Sequence, residues 1–152
     1  MKGYRDMSQA FSGGCLCGGA RFTCAAPPIV SGHCQCTDCR KSSGTGHCTH
    51  VAVPKAAFAV TGNVAGYARP ADSGNIVTRA FCPKCGCALY SINEAMPDLV
   101  FLRASALDDP EIAKPQMVVY ASRAPSWDMI DPALPSFPVM PQGGAEKAIA
   151  DA

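Results

Sequence analysis

The chain has 152 residues with 13 Lys and Arg against 12 Asp and Glu, and its formal charge of +1 with no basic block excludes an electrostatic footprint for nucleic acid. Ten Cys inflate the 48% hydrophobic fraction and only 7% of residues are aromatic, so bulky core material is scarce and metal coordination is the expected supplement. The longest apolar runs, such as Ala56 to Val60, fall far short of the roughly 18 residues of a membrane span, which excludes a helical membrane anchor.

Met1 to Ala10 contains Lys2, Arg5 and Asp6 and lacks the apolar stretch of an export signal. The expectation is a cytoplasmic protein in a reducing compartment, where thiols act as ligands or nucleophiles. A disulfide framework is the competing reading. The tight CxC and CxxC grouping of the cysteines argues against it. The length fits one domain, read here as residues 12–141, with an N-terminal extension over 1–11 and a tail over 142–152 predicted to be disordered.

In chain order, short alternating or β-branched segments predict strands at Ala20 to Cys24, Ile29 to His33, Cys48 to Val53, Ala57 to Thr61 and Ala65 to Arg69. Further strands are predicted at Ile76 to Phe81, Ala88 to Ser91, Leu99 to Ala104 and Gln116 to Tyr120. Gly, Pro, Asn and Asp separate most of them, and the one plausible helical stretch is a turn or so around Thr37 to Ser42. The fold class is therefore mainly β. From Arg123 onward prolines forbid a central strand or a long helix, and Trp127, Ile130, Leu134 and Phe137 are expected to anchor an extended tail against the domain.

Three cysteine groups carry the chemistry. Cys15 and Cys17 form CxC, Cys82 and Cys85 form CxxC, and glycine follows each pair. Folding two thiolates onto one ion needs a sharp turn, which glycine permits by taking positive φ. Two such pairs from distant parts of the chain make a closed Cys₄ set for a structural zinc. The middle group, Cys34, Cys36 and Cys39, supplies three thiolates, the usual protein share of a catalytic zinc with its fourth position open. The alternative is a second structural zinc completed by Cys48, Cys87, His33, His47, His50 or Asp38. Seven thiolates and two Zn²⁺ per chain would move the net charge from +1 to about −2.

Cys24, Cys48 and Cys87 read as small buried hydrophobes, with Cys87 the nearest to a metal group. His33 should face away from Cys34 and be structural, whereas His47 and His50 are the better candidates for proton transfer. The KSSGTGH loop suits either a plain turn or a close approach by a peptide-like ligand. Arg40, Lys41, Arg79, Arg103 and Arg123 are scattered, and the sequence does not choose among them.

The segments GGCLCGGARF, GHCQCTDCRKSSGTG, FCPKCGCALY, LDDP and RAPSWDMIDPALPSFP together resemble the family of glutathione-dependent formaldehyde-activating enzymes and centromere protein V. The resemblance runs from about Ser12 to Pro141, in order and in spacing. It implies a β-tent fold of twisted antiparallel sheets, a structural zinc at Cys15, Cys17, Cys82 and Cys85, and a second zinc at Cys34, Cys36 and Cys39. One departure is Gln35, which stands where members commonly carry a second histidine in HCHC. The implied activity is a zinc-dependent carbon–sulfur lyase that condenses glutathione with formaldehyde to S-hydroxymethylglutathione. The competing class is a non-enzymatic interaction module with two structural zincs.

Overall fold

The computed structural model describes residues 10–144 and Lys147. The expected N-terminal extension lies outside the described residues up to Gln9, as does most of the 142–152 tail. The fold is mainly β, with strands β1 (Phe11–Gly14), β2 (Ala20–Cys24), β3 (Val30–Cys34), β4 (Cys48–Pro54) and β5 (Phe58–Gly62). These are followed by β6 (Ala65–Pro70), β7 (Ile76–Phe81), β8 (Ala88–Asn93), β9 (Leu99–Arg103) and β10 (Val118–Val119). One short helix, α1 (Thr37–Ser43), closes on Gly44 in the left-handed conformation.

The strands form two sheets, in the orders β1-β2-β5 and β10-β3-β4-β9-β8-β7-β6. All pairings are antiparallel except β10 with β3. Alternation explains how the sheets bury their faces: in β2 Ala20, Phe22 and Cys24 are buried while Arg21 and Thr23 are exposed. Together with Val51, Val53, Leu89, Val100 and Leu102, Phe22 makes the main core. The opposite parity of β4, His50 and Ala52, lines a cavity instead, so the long sheet has a core face and a cavity face. A smaller apolar cluster of Cys34, Cys39, Cys48, Met117 and Val119 seals one flank of that cavity.

Strand β1 was not expected, because FSGG offers two glycines and no β-branched residue. It forms because Phe11 drops into the core and because Arg21 and Ser12 both reach Asp108. Arg21 grips Asp108 with both terminal nitrogens, and Ser12 Oγ donates to the same carboxylate at 2.7 Å. Arg21, helped by Ser12, holds the Asp108 carboxyl down to about 2. A depressed carboxyl stabilises the fold above its unfolded value near 4 and loses that contribution as pH falls toward 2. Both partners are half-exposed, so the contribution is modest. In Arg21→Gln the Asp108 midpoint, followed by carboxyl NMR, is expected to rise toward about 4. The drop in melting temperature between pH 5 and pH 2 should be smaller than in the wild type.

The proline-rich tail lies along β10. Val118 N–H donates to the Pro135 carbonyl at 2.8 Å, and Phe137 N–H returns to the Val118 carbonyl at 2.9 Å. Ile130, Leu134 and Phe137 are partly buried as expected, but Trp127 is 65% exposed and anchors nothing. The adjacent residue is the anchor: the Asp128 carboxylate accepts from Gln35 Nε2 at 2.9 Å and is 2.9 Å from His47 Nδ1. Among the described residues, no helix is long and apolar enough to cross a membrane.

Candidate metal centres

The turn between β1 and β2 carries Cys15 and Cys17, and the turn between β7 and β8 carries Cys82 and Cys85. Gly18 (φ 78°) and Gly86 (φ 74°) take the left-handed backbone that these tight turns require. The four sulfurs lie within 4.8 Å of one another, with Cys15 and Cys17 at 3.5 Å and Cys17 and Cys82 at 3.7 Å. A tetrahedral zinc with 2.3 Å bonds spaces its sulfurs by about 3.8 Å, so the four fit such an ion without rearrangement. These separations are far beyond a disulfide bond of about 2.05 Å, and all ten cysteines are free. The Ala20 N–H, 3.2 Å from Cys15 Sγ, is the largest of the influences that lower that thiol to about 6.

Cys34 ends β3, Cys36 caps α1 and Cys39 sits in its first turn. Their sulfurs also lie within 4.8 Å of one another. Cys36 accepts the Cys39 N–H at 3.3 Å, which is how a chain with thiols at these spacings turns into a helix. Hydrogen bonds with Cys34 and Cys39 push the Cys36 thiol down, while Cys34 is pushed well up by Cys36, by Cys39 and by burial. Without a cation one sulfur ionises at the expense of another, and a dication is what would let all three do so.

The three sulfurs line a cavity of about 370 Å³ together with His33 and His50. Its walls are apolar at Val30, Ala52, Phe101 and Met117 and polar at Arg79, Asn93, Tyr120 and Arg123. None of the four cysteines of the other group borders it. The contrast is chemical: four thiols close on themselves away from the cavity, while three lie on a space large enough for a small ligand.

Of the expected fourth-ligand candidates, His33, His50 and Asp38 border the same cavity, and Cys48, Cys87 and His47 do not. Among the described residues no further His, Cys, Asp or Glu atom joins the three sulfurs within the same 4.8 Å. Cys48 is buried in the smaller apolar cluster, Cys24 and Cys87 pack at the main core, and burial raises the Cys24 and Cys87 thiols. Asp38 faces Arg69 at 3.6 Å and Arg79 at 3.9 Å.

His33 borders the cavity but, because it pairs with Thr49 whereas Gly32 pairs with His50, its side chain lies on the face of β3 opposite Cys34, as expected. Its Nδ1 is 2.8 Å from Thr49 Oγ1, its ring meets that of His47 edge-on at 4.6 Å, and burial lowers its pKa. His47 does not reach the cavity and is held by Asp128. His50 Nε2 is 3.4 Å from Cys39 Sγ, its Nδ1 has no partner, and burial lowers its pKa to about 4, keeping the ring neutral. The KSSGTGH loop does not border the cavity and serves as the end of α1.

The sequence passes over Asp128 and offers Arg103 only as one of five scattered cations. Asp128 is held against its burial by the Gln35 and His47 contacts, which lower its pKa and pin the tail to the loop bearing the three thiols. Arg103 is 2% exposed, with Nη2 donating to Ser42 Oγ at 3.0 Å and with Nε and Nη1 unpartnered. A buried guanidinium with free donors is the signal to look for, and burial is invisible in a linear sequence.

The family model described as glutathione-dependent formaldehyde-activating enzyme matches residues 10–123. The chain belongs to that family. A curated relative from Halomonas elongata, provisionally given the same enzyme name, is 29% identical over 125 residues, covering 78% of this chain and 80% of the relative. The crystal structure of a Rhodobacter sphaeroides protein is similar in fold, with a TM-score of 0.54 at 13% identity, over 83% of this chain and 98% of that one. The family match contains both cysteine groups and ends before Asp128.

Proposed function

We propose that this family member is a zinc-dependent carbon–sulfur lyase-like enzyme that joins glutathione, or a closely related thiol, to formaldehyde and cleaves the adduct. The observation that carries the reading is the placement of Cys34, Cys36 and Cys39 on a cavity while Cys15, Cys17, Cys82 and Cys85 lie away from it. All-sulfur donor sets at these separations suit zinc. The four-cysteine set is the structural site and the three-cysteine set the reacting one. A zinc ion at the latter would supply Lewis acidity and lower the pKa of a thiol or hydroxyl brought to its open position.

In the forward direction the glutathione sulfur gives up its proton and bonds to the formaldehyde carbon. The carbonyl π pair becomes an alkoxide, which takes a proton to give the hydroxymethyl group. His50, on the cavity face of β4 with Nε2 3.4 Å from Cys39 Sγ, is the candidate to hold that proton. Arg79 and Arg123, on the cavity wall beside Asp38 and Asp72, are the candidates to meet ligand carboxylates, and Phe101 gives the cavity an apolar wall.

The test is metal content per chain together with exchange between glutathione and formaldehyde followed by NMR. Two zincs per chain and an exchange rate well above buffer are expected. Two zincs with a rate equal to buffer would favour the interaction module in place of the enzyme.

A further inference from the structure

Arg103 has no role in the chemistry above, yet its burial demands an explanation. It closes β9 directly opposite His50 of β4, and its side chain is among the largest fully buried groups in the molecule. Among the described residues no carboxylate forms an ion pair with it. Its one hydrogen bond goes to Ser42 on α1, the helix that carries Cys39. An isolated buried cation with two idle donors is among the most expensive arrangements a protein can hold, unless a negative group nearby compensates it. The groups that could compensate it are the three thiols once ionised: Arg103 is bonded to Ser42 on the helix that carries Cys39, and it lies opposite His50, whose Nε2 is 3.4 Å from Cys39 Sγ.

We propose that Arg103 is the counter-charge of the three-thiolate centre: its buried guanidinium offsets the centre's net negative charge and biases the open position toward a thiolate over a neutral ligand. The inference rests on the reading of Cys34, Cys36 and Cys39 as metal ligands. Three thiolates around a divalent ion sum to about −1, and Arg103 returns that sum to about zero. A fourth, sulfur ligand adds a further negative charge, which a neutral surrounding accepts and an already anionic one opposes. The guanidinium is held by Ser42 and sealed from solvent, so its field is not screened by water or salt. Arg103 is thus a positioning residue acting through the metal centre, separate from Arg79 and Arg123 on the cavity wall.

The chain provides its own control, because the four-cysteine set is a second metal site that does not border the same cavity. Metal-free protein is titrated with cobalt(II), and the thiolate-to-metal absorption of the two sites is resolved in the wild type, Arg103→Gln and Arg103→Lys. In Arg103→Gln the three-cysteine site is expected to bind cobalt at least about tenfold more weakly, with the four-cysteine site unchanged. Added 2-mercaptoethanol should perturb the spectrum of that site in the wild type at concentrations at least about tenfold lower than in Arg103→Gln. Arg103→Lys keeps the charge and should remain within about threefold of the wild type in both measurements.

Equal cobalt affinity and equal thiol response in the wild type and Arg103→Gln would overturn the proposal. If Arg103→Gln does not fold, Arg103→Lys decides: retained affinity upholds the charge argument, and a tenfold loss confined to the three-cysteine site overturns it in favour of a shape requirement for the planar group. A wild type that takes up cobalt only at the four-cysteine site would instead overturn the reading of the second metal site, and the proposal with it.

Discussion

Cys82→Ser is expected to cost the protein at least about 3 kcal/mol of stability, enough to lower its melting temperature by roughly 10 °C, and to release one metal ion per chain. Cys82 is 2% exposed and sits inside the main core, where its sulfur lies 3.7 Å from Cys17, 65 positions away. The two turns that it joins belong to different sheets, one between β1 and β2 and the other between β7 and β8. Breaking the set removes a cross-link over a long loop and leaves three thiols crowded together without a cation. Thermal melts with metal analysis check the result. An unchanged melting temperature would show that the four cysteines do not stabilise the fold through a metal.

Cys36→Ser should have the opposite profile, reducing thiol–formaldehyde exchange by at least about 100-fold while shifting the melting temperature by less than about 3 °C. The reason lies in its second job. Cys36 caps α1 by accepting the Cys39 N–H, and serine is one of the best residues at that position, so the helix start survives the change. What disappears is one of three sulfurs from a set that no further His, Cys, Asp or Glu atom joins within 4.8 Å among the described residues. Exchange measured by NMR beside a thermal melt separates the two effects. Equal melting losses in Cys36→Ser and Cys82→Ser would mean that the two cysteine groups do not divide the labour between fold and reaction.

Both sulfur groups were legible in the sequence because their logic is local. Each cysteine pair or triple lies within a few residues, and the glycines after Cys17 and Cys85 mark the turns that aim the sulfurs. Strands such as β2 were legible for a similar reason, since the alternation in ARFTC is a two-residue pattern. The residues around the cavity obey no such pattern. Asp128 meets Gln35 and His47 across 93 and 81 positions, so nothing near SWDMI announces that the carboxylate, and not the indole, is the anchor. Arg103 ends a strand, where a charged side chain ordinarily reaches solvent, yet it is buried and bonded to Ser42, 61 positions back on α1. His33 follows strand parity, meeting Thr49 on the side of β3 away from Cys34, but nothing in the sequence shows that His50 comes within 3.4 Å of Cys39.

The strip of tail beside β10 has a further consequence for how molecules of this protein meet. A sheet's outermost strand normally presents a row of free donors and acceptors on which a neighbouring molecule can build. Here the Val118 and Ala121 amides are taken by the carbonyls of Pro135 and Phe137, and Ser122 donates to that of Pro138. Of the residues that follow Pro135, Ser136 turns its own amide outward while Pro138 has none, so the added strip offers a neighbour no continuous row of donors. That margin of the long sheet is thereby a poor template for intermolecular strand addition, and the proline spacing that barred this segment from the sheet interior makes it a fitting selvedge.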